Sequence, residues 1–309
     1  MEEPQTKMTY IRLLNQALAL YKEERYQDAI ELINQYGHLV DGNLAQIYSF
    51  LFSLAARAGR NNLALGLMQE AIEKKGLWYS VDYLRTDDDL EPLRRFGMFE
   101  QFVEICEGRE KEAKLNARPE LRLLSEGGDS LIVALHGNQD SNDINEPYWR
   151  CAASFGGVVA LAQSSVESFS GAYTWNDTEK GAAELEQHLL SLSDRFSVPT
   201  AQTVLAGFSA GCNVIMRAVL DGKVEAGSLL LVGPWLPMLD EWAPRLGMLN
   251  GMKVRIVIGD RDEDCLEGAM KLDSLLRDLG VEHEMRVIEG MDHDYPDDLC
   301  DDIAAALRK

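Results

Sequence analysis

The rhythm of apolar and polar positions changes near residue 120. Before it, apolar residues recur every three or four positions. Ile11, Leu14, Leu18 and Tyr21 share one helical face, and Ala29, Ile30, Leu32 and Ile33 mark a second helix over 26–35. Gly37 and Asp41-Gly42 break the pattern. Two further helices are predicted over 44–58 and 62–75, with Gly59 between them and Gly76 at the end. The charge-rich stretch 107–120, which contains Pro119, reads as a linker or as a helix tail running into one.

From Leu121 the pattern becomes short apolar runs alternating with helical ones. Strands are predicted over 121–124, 130–135, 158–162, 202–206, 228–232, 254–258 and 282–288. Helices are predicted over 147–155, 178–196, 212–220 and 265–279, with a closing helix to 308. Alternation of this kind builds a mostly parallel sheet with helices on both faces. The expected organisation is an all-α domain over 1–115 followed by an α/β domain over 116–309.

The helical half repeats itself. Glu24-Arg25-Tyr26-Gln27-Asp28-Ala29-Ile30 aligns with Gly59-Arg60-Asn61-Asn62-Leu63-Ala64-Leu65, at an offset of 35 residues. This resembles tetratricopeptide repeats, although the Trp and Pro positions of that consensus are missing or displaced. Residues 77–110 look like a degenerate capping unit. Such helical pairs bind partner proteins or hold oligomers together, so a protein partner or a homo-oligomer through the helical domain is one expectation. A purely stabilising appendage is the other.

The α/β half carries Gly207-Phe208-Ser209-Ala210-Gly211 between a predicted strand and a predicted helix. A serine at so sharp a turn stands clear of its own backbone, and the helix start offers N–H groups and a partial positive charge beside it. Serine needs a base, and the base needs an acid to fix its tautomer. Loops after later strands supply Asp262 and His293. The chain order Ser, Asp, His, the strand ending in His136-Gly137, the strand ending in Gln163-Ser164-Ser165, and Gly259-Asp260-Arg261-Asp262 together resemble an α/β-hydrolase of the phospholipase/carboxylesterase kind. The likeness covers about two-thirds of the chain. It implies Ser209 as nucleophile, His293 as general base and Asp262 as orienting acid, with Asp260 and Asp264 as alternatives in the same loop. Asp292 and Asp294 are expected to be solvated.

The likeness also implies an oxyanion hole made by the backbone N–H groups of Ala210 and Asn138, with Gln139 as fallback, and a buried structural role for His136. Trp175 and Trp235 are candidates for the substrate pocket, and residues 234–252 for a short helical flap. The implied activity is hydrolysis of carboxylic esters through an acyl-enzyme, without metal or cofactor. An acyl-thioesterase, a peptidase, or a non-catalytic protein-binding module are the alternatives.

Composition narrows this little. The 309 residues carry a net charge of −21, which disfavours nucleic acid and anionic membrane surfaces as partners. Five scattered cysteines, Cys106, Cys151, Cys212, Cys265 and Cys300, without a C-x-x-C, argue against a disulfide framework and a zinc site. Residues 1–7 lack the pattern of a secretion signal, and no apolar run is long enough to span a membrane. The expected compartment is the cytoplasm.

Overall fold

The computed structural model describes residues 8–308; the segment 1–7 lies outside them. The chain divides into two units. One runs up to Ala117 and also takes Glu167–Ala172. The other holds Arg118–Val166 and the chain from Tyr173 onward. The early return of six residues to the helical unit has no counterpart in the sequence pattern.

The helical unit contains α1 (Tyr10–Lys22), α2 (Tyr26–Tyr36), α3 (Leu44–Arg57), α4 (Asn61–Gln69), α5 (Val81–Thr86) and α6 (Gly97–Asn116). The 35-residue repeat is structural. Glu24 and Gly59 both take positive φ, 58° and 71°. The N-caps Arg25 and Arg60 share nearly the same backbone angles. Arg25 N–H donates to Leu20 O and Arg60 N–H to Ala55 O, at 2.9 and 2.8 Å, so both hairpins turn through the same bonds. Ala29 and Ala64 are fully buried, as close helix contact requires. The helix α6 absorbs much of the stretch read as a possible linker. Lys111–Glu107 and Lys114–Glu110 pairs support it at i,i+4 spacing.

The other unit contains, in order, β1 (Glu120–Ser125), β2 (Leu131–Leu135), α7 (Asn142–Trp149), β3 (Val158–Gln163), β4 (Glu167–Phe169), β5 (Ala172–Tyr173), α8 (Thr178–Arg195), β6 (Thr203–Phe208), α9 (Ala210–Leu220), β7 (Ser228–Val232), α10 (Leu239–Trp242), β8 (Lys253–Gly259), α11 (Leu266–Leu279), β9 (His283–Ile288) and α12 (Leu299–Ala306). The hairpin β4–β5 is the exception in this series: β4, the turn and Ala172 belong to the helical unit. There Asn43 donates to Ser170 O at 2.9 Å, Ser170 Oγ accepts from Trp78 N–H at 2.7 Å, and Phe169 bridges to Tyr79.

Seven strands form one sheet in the order β1-β3-β2-β6-β7-β8-β9, parallel except for β1 against β3. One face packs Val133, Leu205, Leu231 and Ile256 against apolar residues of α8, α9 and α11. Near-continuous apolar strands follow from a sheet covered on both sides. The order reverses at β2 and β6: the chain leaves β2 toward β3 and leaves β6 toward β7. Ligands bind such sheets in the crevice that opens beyond the strand ends at this point.

Two local expectations change. Helix α7 begins at Asn142, not near Pro147, because Ser141 accepts a hydrogen bond from Ile144 N–H as its cap. Residues 234–252 form α10 and a 3-10 segment at Ala243–Leu249. Cys151 and Cys300 form a disulfide, contrary to the argument from scattered cysteines; 149 positions separate them, so spacing could not reveal the pair. Cys106, Cys212 and Cys265 are free and buried. No helix among the described residues is long and apolar enough to cross a membrane.

Candidate active site

The switch point places two loops side by side. Leu135, the last residue of β2, is in register with Gly207 of β6. The loop from His136 to Asp140 therefore starts beside the turn at Ser209. That turn is sharp: Ser209 has φ 52° and ψ −118°, a conformation that costs a non-glycine residue on the order of 1–3 kcal/mol. Its amide donates to Val232 O at 2.9 Å, and its carbonyl accepts from Cys212 N–H at 3.0 Å and Trp235 N–H at 3.3 Å. These bonds on both sides hold the strain. Gly211 is required next to it, since a Cβ there would lie 2.7 Å from His136 O and 2.8 Å from Leu135 O. Ser209 occupies the N-cap position of α9, yet its side chain makes no capping bond.

Asp262 lies in the loop after β8 and His293 in the loop after β9, the neighbouring strand. Of the three aspartates in the first loop, Asp262 is the one that meets the imidazole: His293 Nδ1 is 2.6 Å from Asp262 Oδ2. The Asp262 side chain is 1% exposed and that of His293 32%, so the pair has a dry end and an open end. Asp262 Oδ1 accepts from Cys265 N–H at 3.1 Å. Asp260 instead accepts from Gly290 N–H and is exposed. Donor atoms of Asp262, Cys265 and His293 all lie within 4.8 Å of one another. Burial pushes the Cys265 thiol well up, which keeps it a neutral S–H.

The imidazole lies at the end of β7, against Gly233 and against Phe208, the residue before Ser209. A Cβ on Gly233 would lie 3.2 Å from His293 Cε1 and 3.2 Å from Phe208 Cε2. Gly233 follows Val232, whose carbonyl takes the Ser209 amide. Asp294 is not solvated. It is 3% exposed and accepts from Tyr295 N–H at 2.7 Å, while Asp292 is exposed.

His136 is fully buried. Its Nδ1 lies 2.6 Å from Gly137 O, and Ser164 N–H donates to its Nε2 at 3.2 Å. Both nitrogens of a neutral ring are thereby used, and burial lowers its pKa to about 4. Trp175 is 2% exposed, with its ring 4.9 Å from that of His136 and its Nε1–H donating to His136 O at 2.8 Å. It braces the loop from behind and lies in the core. Trp235 is 38% exposed, beside the Ser209 carbonyl. Asn138 and Gln139 are exposed, and Gln139 has φ 60°. Asp140 is buried, which raises its carboxyl to about 7.

Sequence reasoning missed the aromatic row behind the histidine. Phe208 stacks on Tyr295 at 4.2 Å and Tyr295 on Tyr148 at 4.0 Å. The Tyr295 hydroxyl donates to Asn145 Oδ1 at 2.6 Å. The only local signal was Tyr295 standing two residues beyond His293.

Residues 9–114 match the family described as the A/B hydrolase-like N-terminal domain. An uncharacterized protein from Bacillus cereus of known crystal structure is 36% identical, over 97% of this chain and 98% of its own, with a TM-score of 0.56. Esterase PE8 is 19% identical over 62% of this chain and 98% of its own, with a TM-score of 0.51. TT1662 from Thermus thermophilus gives 19%, 62% and 98%, with a TM-score of 0.50. No curated protein matches the sequence. The chain belongs to the same family as that Bacillus cereus protein and has an α/β-hydrolase fold, with a helical N-terminal domain ahead of the mostly parallel sheet.

Proposed function

We propose that the protein hydrolyses carboxylic esters, with Ser209 as nucleophile, His293 as general base and Asp262 as its orienting acid. One observation carries this reading: the 2.6 Å pair of His293 and Asp262, at the carboxyl edge of the sheet beside a strained serine turn. His293 takes the proton of Ser209 as the hydroxyl attacks the ester carbonyl. The oxyanion is held by the N–H groups of Ala210 and Asn138. The first N–H groups of α9 have no partner within the helix. The alcohol leaves with the proton from His293, and water, activated by the same imidazole, releases the acid from the acyl-enzyme. Asp262 keeps Nδ1 protonated, so Nε2 is the nitrogen that carries the lone pair and acts as the base.

The fold shared with an esterase is consistent with this chemistry. A fluorophosphonate probe and a series of p-nitrophenyl esters test it. Wild type should label once, at Ser209, and turn over at least one ester of the series. Ser209→Ala should lose roughly a thousandfold or more in kcat. Absent labelling, or a variant that keeps a tenth of the activity, would sink the assignment.

A further inference from the structure

Three consecutive residues, starting with the last of β5, grip the loop that follows β2. Tyr173 N–H donates to Asp140 O at 2.8 Å and Asp140 N–H returns to Tyr173 O at 3.3 Å. Thr174 Oγ1–H and Trp175 N–H both donate to Asn138 Oδ1, at 2.9 and 2.7 Å. The Trp175 indole N–H donates to His136 O at 2.8 Å. Residues 136, 138 and 140 are thus each held by 173, 174 or 175. The grip is itself anchored: Ser164 Oγ–H donates to Thr174 O at 2.7 Å, and Thr174 N–H to Val166 O at 2.9 Å.

Between two of the gripped residues lies Gln139 at φ 60°. A side-chain-bearing residue leaves that region unless its surroundings hold it there. The bonds at Asn138 and Asp140 do so from both sides. Meanwhile the backbone N–H of Asn138 donates to no other group among the described residues.

We propose that the Tyr173-Thr174-Trp175 segment is the positioning element of the oxyanion loop, and that the Asn138 side chain is the residue through which it acts. The amide oxygen is committed to Thr174 and Trp175, which fixes the peptide plane whose N–H faces the developing negative charge. This rests on the reading of Ser209 as nucleophile. Asn138 has a double role: its backbone donates, and its side chain aims that donor. Thr174 and Trp175 are positioning residues.

The chemistry of the acceptor separates this from a general packing role. Asn138→Asp keeps an oxygen for both donors; Asn138→Ala removes it. Thr174→Ser keeps the hydroxyl; Thr174→Val removes it at similar volume. Four variants and wild type are compared by kcat and KM on a p-nitrophenyl ester, and by the inhibition constant of an arylboronic acid, whose tetrahedral adduct puts an oxygen in the oxyanion position. Asn138→Ala should lower kcat roughly 10- to 100-fold with KM within about threefold. Its boronate affinity should weaken in step with kcat/KM. Asn138→Asp keeps the acceptor but sets a carboxylate near the oxyanion and against Asn176 Oδ1, so its kcat should stay low. Thr174→Val should fall between, and Thr174→Ser should match wild type. Should Asn138→Ala fail to fold, the Thr174 pair carries the same comparison. Unchanged kcat in both Asn138→Ala and Thr174→Val, or loss without weaker boronate binding, or a loss in Thr174→Ser as large as in Thr174→Val, overturns the proposal while leaving the esterase reading intact. A wild type that neither turns over ester nor labels at Ser209 defeats the underlying reading instead.

Discussion

Phe208, the residue before the serine, lies against His293 with ring centroids 4.7 Å apart and planes tilted by 32°. The side chain next to the proposed nucleophile thereby fixes the plane of the proposed base. Phe208→Leu keeps bulk but loses the flat wall. It should lower kcat roughly tenfold and cost less than about 1.5 kcal/mol of stability. Phe208→Ala should cost about 3–5 kcal/mol, because it opens a cavity between His293 and Tyr295. Steady-state kinetics beside denaturant unfolding of both variants would separate the two effects.

His136 makes stability pH-dependent. Its pKa in the folded protein is about 4, below the ordinary value of 6.5. The unfolded chain therefore binds a proton first as pH falls. The stabilisation is complete above pH 6.5 and is lost as pH drops toward 4, by on the order of 3 kcal/mol. Protonation would set a second N–H against Ser164 N–H. Urea midpoints at pH 7, 5.5 and 4.5 should fall more steeply for wild type than for His136→Asn. Parallel slopes would contradict this account.

The Cys151–Cys300 bridge joins the 3-10 segment Arg150–Phe155 to α12. Closing so long a loop restricts the unfolded chain by about 5 kcal/mol in the chain-entropy account. The double variant Cys151→Ala/Cys300→Ala should unfold at markedly lower denaturant. Thiol titration of unfolded wild type should count the three free cysteines without reductant and all five after reduction. A count of five from the start would remove the bridge.

Starting the chain at Arg118 should not give a clean catalytic fragment. It strips Ser170 of Asn43 and Trp78, and Phe169 of Tyr79. The fragment should bind a hydrophobic dye and associate, which light scattering would show. Phe169→Ser in the same fragment should reduce both. A soluble, monomeric, unmodified fragment with full activity would refute this expectation.

What could be read in advance follows from range. The serine turn, the parallel strands and the 35-residue repeat are local patterns of side-chain period and turn chemistry. The pairing of Asp262 with His293 was legible because each stands just past a predicted strand, and parallel strands bring their carboxyl ends together. The meeting of Asp262 with His293 needed only adjacent strands. Trp175 looked like a pocket residue because an aromatic in a loop carries no sign of which way it points; its indole N–H found a buried carbonyl at His136 instead. Pro147 looked like a helix start because proline suits a first turn, but Ser141 captured that role one turn and a half earlier. The aromatic row, the disulfide and the hairpin tip depend on pairs far apart in the chain, and nothing in the residues nearby encodes them.

The placement of Glu167–Ala172 sets an order of events during synthesis. The helices up to Ala117 leave the ribosome first, yet the strip that Asn43 and Trp78 hold follows about fifty residues later, some 3–10 s at ordinary elongation rates. Until then Tyr79 waits without Phe169. The helical unit is thus finished only after the first three strands of the sheet have been made.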